Sequence, residues 1–112
     1  VMRTDRGFFC LPEVDIKIPF TKTMQSLIIA RLPVRTAHEA CVTGRRYGGD
    51  LAVSKGIVDQ AEEEADVLPK AIALAKSLAG KDRTTLAAIK RGAYGHVLAN
   101  VKADQAIQTS PV

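Results

Sequence analysis

Large aromatic side chains are scarce in this chain. Tryptophan does not occur, and phenylalanine and tyrosine together supply only 4% of the 112 residues. This scarcity argues against large aromatic stacking platforms. The two cysteines, Cys10 and Cys41, form neither a Cys-x-x-Cys pair nor a Cys/His metal spacing, so the sequence predicts no metal site.

Long apolar runs are also missing. The longest falls far short of the roughly 20 residues that a membrane-spanning helix needs, and the first six residues are too polar for a signal peptide. Cys10 lies in an apolar run, which favours a reduced thiol. We therefore expect a cytoplasmic protein, with a peroxisomal or mitochondrial location as the alternative in a eukaryote. The first residue is Val1 rather than Met, and we expect the chain to begin within a longer protein.

Positive charge is not concentrated in a block, although the net charge is +4, whereas acids cluster at Glu62, Glu63, Glu64 and Asp66. Basic residues alternate with acids, a pattern typical of a mixed solvated surface. Residues 21–32 and 36–43 outline a helix-turn-helix, but the second helix lacks the exposed row of Arg, Asn or Gln that reads DNA. We expect no nucleic-acid partner.

The periodicity predicts a mostly α chain with a few short strands. Extended segments are expected at 1–3, 7–11 and 13–18, the last because "EVDIKI" alternates apolar and charged residues. Helices are expected at 21–32, 36–43, 51–55 and 66–79, with a last helix from Asp82 through Val97 and a frayed tail from Lys102. Predicted stops and caps are Pro33, Gly44, Gly56, Gly80, a Thr36/Glu39 capping box, Asp50 and Asp82.

Two features carry possible chemistry. Glu13 lies in the apolar run "FFCLPEVDIKIPF", and burial there favours the protonated form of a carboxyl group, a property of a general acid/base. The alternative is a solvent-facing acid at a strand edge. "TGRRYGG" (residues 43–49) combines glycines with arginines, which suits anion binding, or it is a helix stop followed by a surface turn.

Three stretches together resemble the enoyl-CoA hydratase/isomerase (crotonase) superfamily. "DRGFFCLPEVDIKIPF" is similar to the family segment in which a strand leads into a Pro-Glu pair. "LPVRTAHEACVTGRRYGGDLAVSKGIVDQ" resembles two short helices that end in a Gly-[Leu/Ile]-Val-Asp signature. "VLPKAIALAKSLAGKDRTTLAAIK" resembles the amphipathic helix, Lys turn and final helix that follow. The order and spacing match across residues 3–95.

The resemblance implies the C-terminal half of a crotonase-like ββα spiral fold with a helical trimerisation region. Residues 1–64 would end the core, 65–101 would form the C-terminal helices, and 102–112 would be a flexible tail. The implied partners are an acyl-CoA substrate and further copies of the chain, as a homotrimer or hexamer. CoA is part of the substrate, so no separate cofactor is implied.

The resemblance also implies site residues. Glu13 matches the carboxylate that transfers a proton in the family, while two backbone N–H groups in the preceding half hold the thioester enolate. Phe8, Phe20 and Met24 would line the acyl chain, or they are ordinary core residues. Lys90 would lie near the CoA phosphates, or it is a solvated residue at a helix end.

The implied reaction is isomerisation of 3-enoyl-CoA to 2-enoyl-CoA through one Glu. Hydratases usually follow the Pro-Glu segment with a Gly-Gly-Thr-rich turn, whereas this chain has "PFTKTMQSL", so the isomerase branch is closer. Hydration of 2-enoyl-CoA, with a second Glu from the preceding half, remains an alternative. A catalytically inert helical fragment with a structural or oligomerisation role is another, and the isolated chain is expected to have little activity.

Overall fold

The computed structural model describes residues 1–109, which are largely helical. The elements are β1 (Met2–Arg3), α1 (Glu13–Ile16), α2 (Lys22–Arg31), α3 (Val34–Thr43), α4 (Gly49–Ser54), β2 (Ala61–Glu62), α5 (Glu64–Leu78), α6 (Arg83–Ala93) and α7 (Gly95–Thr109). The predicted class, mostly α with a few short strands, is confirmed. The described residues form two compact units, the first made of residues 1–18 and 32–80 and the second of residues 19–31 and 81–109.

The first unit contains the only sheet among the described residues. β1 and β2 pair in parallel, with Met2 opposite Ala61 and Arg3 opposite Glu62. α4 and α5 contact this pair. The first residue of α4, Gly49, lies so close to the backbone of Arg3 that no Cβ fits. A glycine is therefore required where α4 meets the strand.

The start of α3 differs from the prediction. The helix begins at Val34, directly after Pro33, so Thr36 lies inside its first turn. The Thr36 hydroxyl donates to the carbonyl of Lys55 at 2.8 Å, and the capping box with Glu39 does not form. The hydroxyl that the capping box needs is used instead in the hydrogen bond to Lys55. Similarly, α4 begins at Gly49 with Gly48 as its N-cap, so the predicted cap Asp50 lies in the first turn instead.

Two predicted helix stops are confirmed. Gly44 ends α3 with φ +66° and Gly56 follows α4 with φ +74°, the left-handed backbone that glycine adopts without strain. α5 begins at Glu64, two residues before the predicted start, so Pro69 falls in its second turn rather than its first. No residue of α5 or α6 is buried.

The second unit is built from α2, α6 and α7. α2 packs against α7, and Ile28 of α2 and Val97 of α7 are buried. Asp82 caps α6 as predicted, accepting a hydrogen bond from the backbone N–H of Thr85 at 2.9 Å. The predicted last helix is two helices, because the backbone leaves the helical conformation at Tyr94.

The tail predicted to fray from Lys102 is helical as far as Thr109. Its Asp104 side chain bonds to Thr23, which anchors it on α2. Residues 110–112 of that predicted tail lie outside the described part of the chain. Across residues 1–109, no helix combines the length and the apolar character needed to cross a membrane.

Candidate active site

Glu13 is the first residue of α1 and not part of an extended segment. The carbonyl of Pro12 accepts hydrogen bonds from the N–H groups of Asp15 and Ile16, at 2.9 and 3.1 Å. Lys17 then turns left-handed, with φ +61°. A helix of four residues is too short to show a 3.6-residue period, so the alternation in "EVDIKI" wrongly indicated a strand.

The carboxylate of Glu13 is partly enclosed. The residue is half-buried, and its Oε2 atom is buried with no hydrogen-bond partner among the described residues. The solvent-facing alternative is therefore wrong for this oxygen. Leaving a buried polar atom unsatisfied costs stability, and such atoms in native structures often have a functional reason. The Oε2 atom has its hydrogen-bonding capacity available for a ligand or a proton.

The segment that precedes Glu13 is fixed by the loop after α3. The N–H of Phe9 donates to the carbonyl of Tyr47 at 2.8 Å, and the N–H of Tyr47 donates to the carbonyl of Phe9 at 2.9 Å. The two rings lie 6.3 Å apart between centroids. The Cys10 thiol donates to the carbonyl of Gly44 at 3.2 Å, and Leu11 is buried. Each of the three residues from Phe9 to Leu11 is thus held.

α1 also packs against α3. Gly44, at the end of α3, lies so near Asp15 that an added Cβ would come within 2.5 Å of Asp15 Oδ2 and 3.5 Å of Val14 Cγ1. Glu13 is therefore held on both sides by the same region of chain, residues 44–47.

Tyr47 anchors this region to α3. Its side chain is fully buried, and its hydroxyl donates to Glu39 Oε1 at 2.9 Å. Arg45 donates to the same oxygen at 2.8 Å, and its guanidinium carbon lies 5.5 Å from the centroid of the Tyr47 ring. Burial, followed by the bond to Glu39, raises the pKa of Tyr47 to about 12. The hydrogen bonds from Tyr47 and then Arg45 lower the pKa of Glu39.

The sequence pattern does not indicate this role of Tyr47. The "TGRRYGG" pattern fits an anion site, or a helix stop followed by a surface turn. In the structure Arg45 pairs with Glu39 of the same chain, and Arg46 stacks on Phe8, with its guanidinium carbon 4.7 Å from the ring centroid. The signal available in the sequence was a lone aromatic residue between two arginines and two glycines, which fits a buried anchor as well as a surface turn.

The predicted substrate-binding residues are divided between the two units. Phe8 belongs to the first unit, as Glu13 does, and is 53% exposed. Phe20, Met24 and Lys90 belong to the second. Phe20 is half-buried, while Met24 and Lys90 are exposed. Their roles in binding the acyl chain and the CoA phosphates stay predictions.

A concave surface of about 700 Å³ lies elsewhere in the first unit. It is lined by Val34, Arg35, Thr36, His38, Glu39 and Lys55, and Glu13 is not among these residues. Both histidines, His38 and His96, are exposed. Within residues 1–109 no group of His, Cys, Asp and Glu side chains is arranged to hold a metal ion.

Several solved structures with a similar fold are named as enoyl-CoA enzymes. An enoyl-CoA isomerase from Mycobacterium tuberculosis superposes with a TM-score of 0.81 at 20% identity, over 91% of this chain and 45% of that one. Another structure of the same protein is named a probable enoyl-CoA hydratase and gives a TM-score of 0.80. An enoyl-CoA hydratase from Mycobacterium marinum also gives 0.80. At 20% identity the likeness shows the fold, which confirms the crotonase-like architecture.

Two curated relatives are similar in sequence. Enoyl-CoA delta isomerase 3 of Arabidopsis thaliana is 35% identical over 83 residues, which are 71% of this chain and 35% of that protein. Enoyl-CoA delta isomerase 2, peroxisomal, from the same plant is 34% identical over 83 residues, again 35% of its length. The chain thus spans about a third of the curated relatives that it matches. The family model for enoyl-CoA hydratase/isomerase matches residues 1–110, and the chain therefore belongs to the enoyl-CoA hydratase/isomerase family.

Proposed function

We propose that the protein containing this chain isomerises 3-enoyl-CoA to 2-enoyl-CoA, with Glu13 as the residue that transfers the proton. The observation that carries the proposal is the buried Oε2 of Glu13, which has no hydrogen-bond partner among the described residues. The names of the two Arabidopsis relatives, both delta isomerases, support the same reaction. The absence of a glycine-rich turn after the Pro-Glu pair points the same way.

One carboxylate is enough for this chemistry. Glu13 takes a proton from C2 of the substrate, and the electron pair of that C–H bond moves to form a dienolate whose charge lies on the thioester oxygen. Backbone N–H groups from outside this chain stabilise that oxygen. The protonated Glu13 then returns its proton at C4, which leaves the double bond between C2 and C3. Glu13 ends the cycle as a carboxylate, so atoms and charge balance.

The remaining assignments belong to the same proposal. Phe8, Phe20 and Met24 contact the acyl chain, and Lys90 lies near the CoA phosphates. The protein acts as a homotrimer or hexamer and uses no cofactor beyond the CoA of its substrate. The location is cytoplasmic, with the peroxisome named for one Arabidopsis relative as the main alternative.

The test is a comparison of Glu13→Gln with Asp15→Asn in the full-length protein. Both changes remove one carboxylate from α1, but the Asp15 side chain is exposed. Conversion of 3-enoyl-CoA to 2-enoyl-CoA is followed under saturating substrate. We expect Glu13→Gln to lower kcat by about 10²-fold or more, the usual scale of general acid–base catalysis, and Asp15→Asn to leave it within about twofold. A normal rate in Glu13→Gln would refute the assignment.

Hydration of 2-enoyl-CoA is the second candidate, because the same mycobacterial protein is named both an isomerase and a probable hydratase. The full-length protein is therefore also incubated with 2-enoyl-CoA, and the 3-hydroxyacyl product is measured. Hydration that is faster than isomerisation would replace the proposed reaction. A folded protein with neither activity would favour the structural role, which size measurements in solution would then examine.

A further inference from the structure

We propose that Tyr47 is a positioning residue for Glu13, acting through its paired backbone hydrogen bonds to Phe9 and its side-chain bond to Glu39. The inference rests on the proposed proton-transfer role of Glu13. Tyr47 touches neither substrate nor reacting atoms in this scheme. Its contribution is to fix the strand-like segment from which α1 starts.

The covalent path from Phe9 to Glu13 is short. Phe9 exchanges two backbone hydrogen bonds with Tyr47, at 2.8 and 2.9 Å, and this is an isolated antiparallel bridge rather than part of a sheet. Only Cys10, Leu11 and Pro12 separate Phe9 from Glu13. Pro12 has a restricted φ and Leu11 is buried, so few backbone rotations between Phe9 and Glu13 are free.

Tyr47 is attached to α3 through its side chain. The Tyr47 ring is completely enclosed, and its hydroxyl bonds to an oxygen of Glu39 that Arg45 also contacts. The charge of Arg45 balances that of Glu39, so the carboxylate keeps its place as an acceptor. A bond from a buried hydroxyl to a carboxylate is stronger than a neutral pair. It fixes the ring, and with it the backbone of Tyr47, relative to a ten-residue helix.

The rate of proton transfer tolerates little displacement of the catalytic group. Proton transfer depends steeply on distance, and a shift of about 1 Å in a catalytic group can cost about 10²-fold in rate. Because Oε2 of Glu13 has no partner among the described residues, that oxygen has no hydrogen bond of its own to hold the carboxylate. The placement of the carboxylate then depends on the backbone, which is the part that Tyr47 fixes.

The experiment compares Tyr47→Phe with Thr36→Val in the full-length enzyme. Both changes remove one hydroxyl that donates a part-buried hydrogen bond, from Tyr47 to Glu39 and from Thr36 to the carbonyl of Lys55. Thr36 has no link to Phe9, so its replacement is the matched control for stability. We expect both variants to unfold at lower temperature. Only Tyr47→Phe should lower kcat, by about tenfold or more, with KM within about twofold.

A double-mutant cycle separates positioning from general loosening. In a Glu13→Gln background, Tyr47→Phe should lower the residual rate by less than about twofold, because there is no longer a carboxylate to position. If Tyr47→Phe folds poorly, Glu39→Gln provides a second variant that leaves the ring intact, with a smaller loss of kcat expected and the same coupling.

The outcomes distinguish the two proposals. Additive effects in the cycle, or equal kcat values for Tyr47→Phe and Thr36→Val, would overturn the positioning role and leave the proposed function standing. A normal rate in Glu13→Gln alone would overturn both.

Discussion

Asp104 on α7 accepts hydrogen bonds from both the backbone N–H and the hydroxyl of Thr23, at 2.8 and 2.5 Å. Thr23 is the second residue of α2, where backbone N–H groups have no partner within the helix. Asp104 thus caps one helix from another, and its negative charge also suits the positive end of the α2 dipole. Both hydrogen bonds lower the pKa of Asp104, and the bond from the Thr23 hydroxyl contributes more than the bond from the backbone N–H.

Removing this cap is expected to loosen the second unit. Asp104→Ala should lower the unfolding temperature by roughly a few degrees and speed amide hydrogen exchange in the first turn of α2, while α5 exchanges as before. The exposed Lys102, on the same helix, provides the control variant Lys102→Ala. Equal exchange rates in the first turn of α2 for the two variants would contradict a capping role.

Gly49 and Gly48 provide a matched pair of neighbouring glycines. A Cβ on Gly49 would collide with the backbone carbonyl of Arg3, whereas a Cβ on Gly48 would meet nothing within 4 Å. Gly49→Ala should therefore force β1 away from α4 and lower the free energy of unfolding by about 1–3 kcal/mol, the usual cost of overpacking. Gly48→Ala replaces the N-cap glycine of α4 without a steric clash, so it should cost less, up to about 1 kcal/mol. Urea unfolding of both variants measures the difference, and similar values for the two would refute the close approach.

The Tyr47–Glu39 bond makes the free energy of unfolding depend on pH in both the alkaline and the acid range. The pKa of Tyr47 is raised from 10.0 to about 12. The protonated Tyr47 hydroxyl therefore contributes fully to the free energy of unfolding below pH 10, and this contribution is lost as the pH rises to about 12. The pKa of Glu39 is lowered from 4.5, so its contribution is complete above that pH and is lost as the pH falls through the lowered value.

Tyrosinate absorbance in folded protein measures the alkaline part directly. We expect a titration step near pH 12 that is missing in Tyr47→Phe. Unfolding temperatures between pH 3 and pH 7 measure the acid part, and Glu39→Gln should flatten that profile. A wild-type protein in which the titration step lost in Tyr47→Phe lies near the ordinary value of 10.0 would contradict the enclosed hydrogen bond.

The sequence was sufficient where a local rule decides the backbone. Gly44 and Gly56 end their helices because the left-handed conformation suits glycine, and Asp82 caps α6 because its carboxylate reaches the N–H of Thr85 three residues on. These features depend on residues within a few positions of one another. The family resemblance, which uses the order of three segments, also led to the correct fold class.

The sequence was insufficient where a contact with a residue far along the chain determines the local structure. Thr36 has the spacing of a capping residue, but the carbonyl of Lys55 takes its hydroxyl. Lys102 and its neighbours look like a frayed end, but Asp104 bonds to Thr23, 81 positions away. The family match indicates Glu13 as the candidate base, whereas the support from Tyr47 depends on the contact between residues 9 and 47.

The second unit is discontinuous along the chain, and this has a consequence during synthesis. α2 ends at Arg31, but its partner residue Asp104 is made 73 residues later (104 − 31). At about 5–20 residues per second, the ribosome needs roughly 4–15 s to produce that stretch. During this interval α2 has emerged without α7, and Ile28, which becomes buried in the finished protein, has no partner helix. Burial of Ile28 therefore waits for the synthesis of α7.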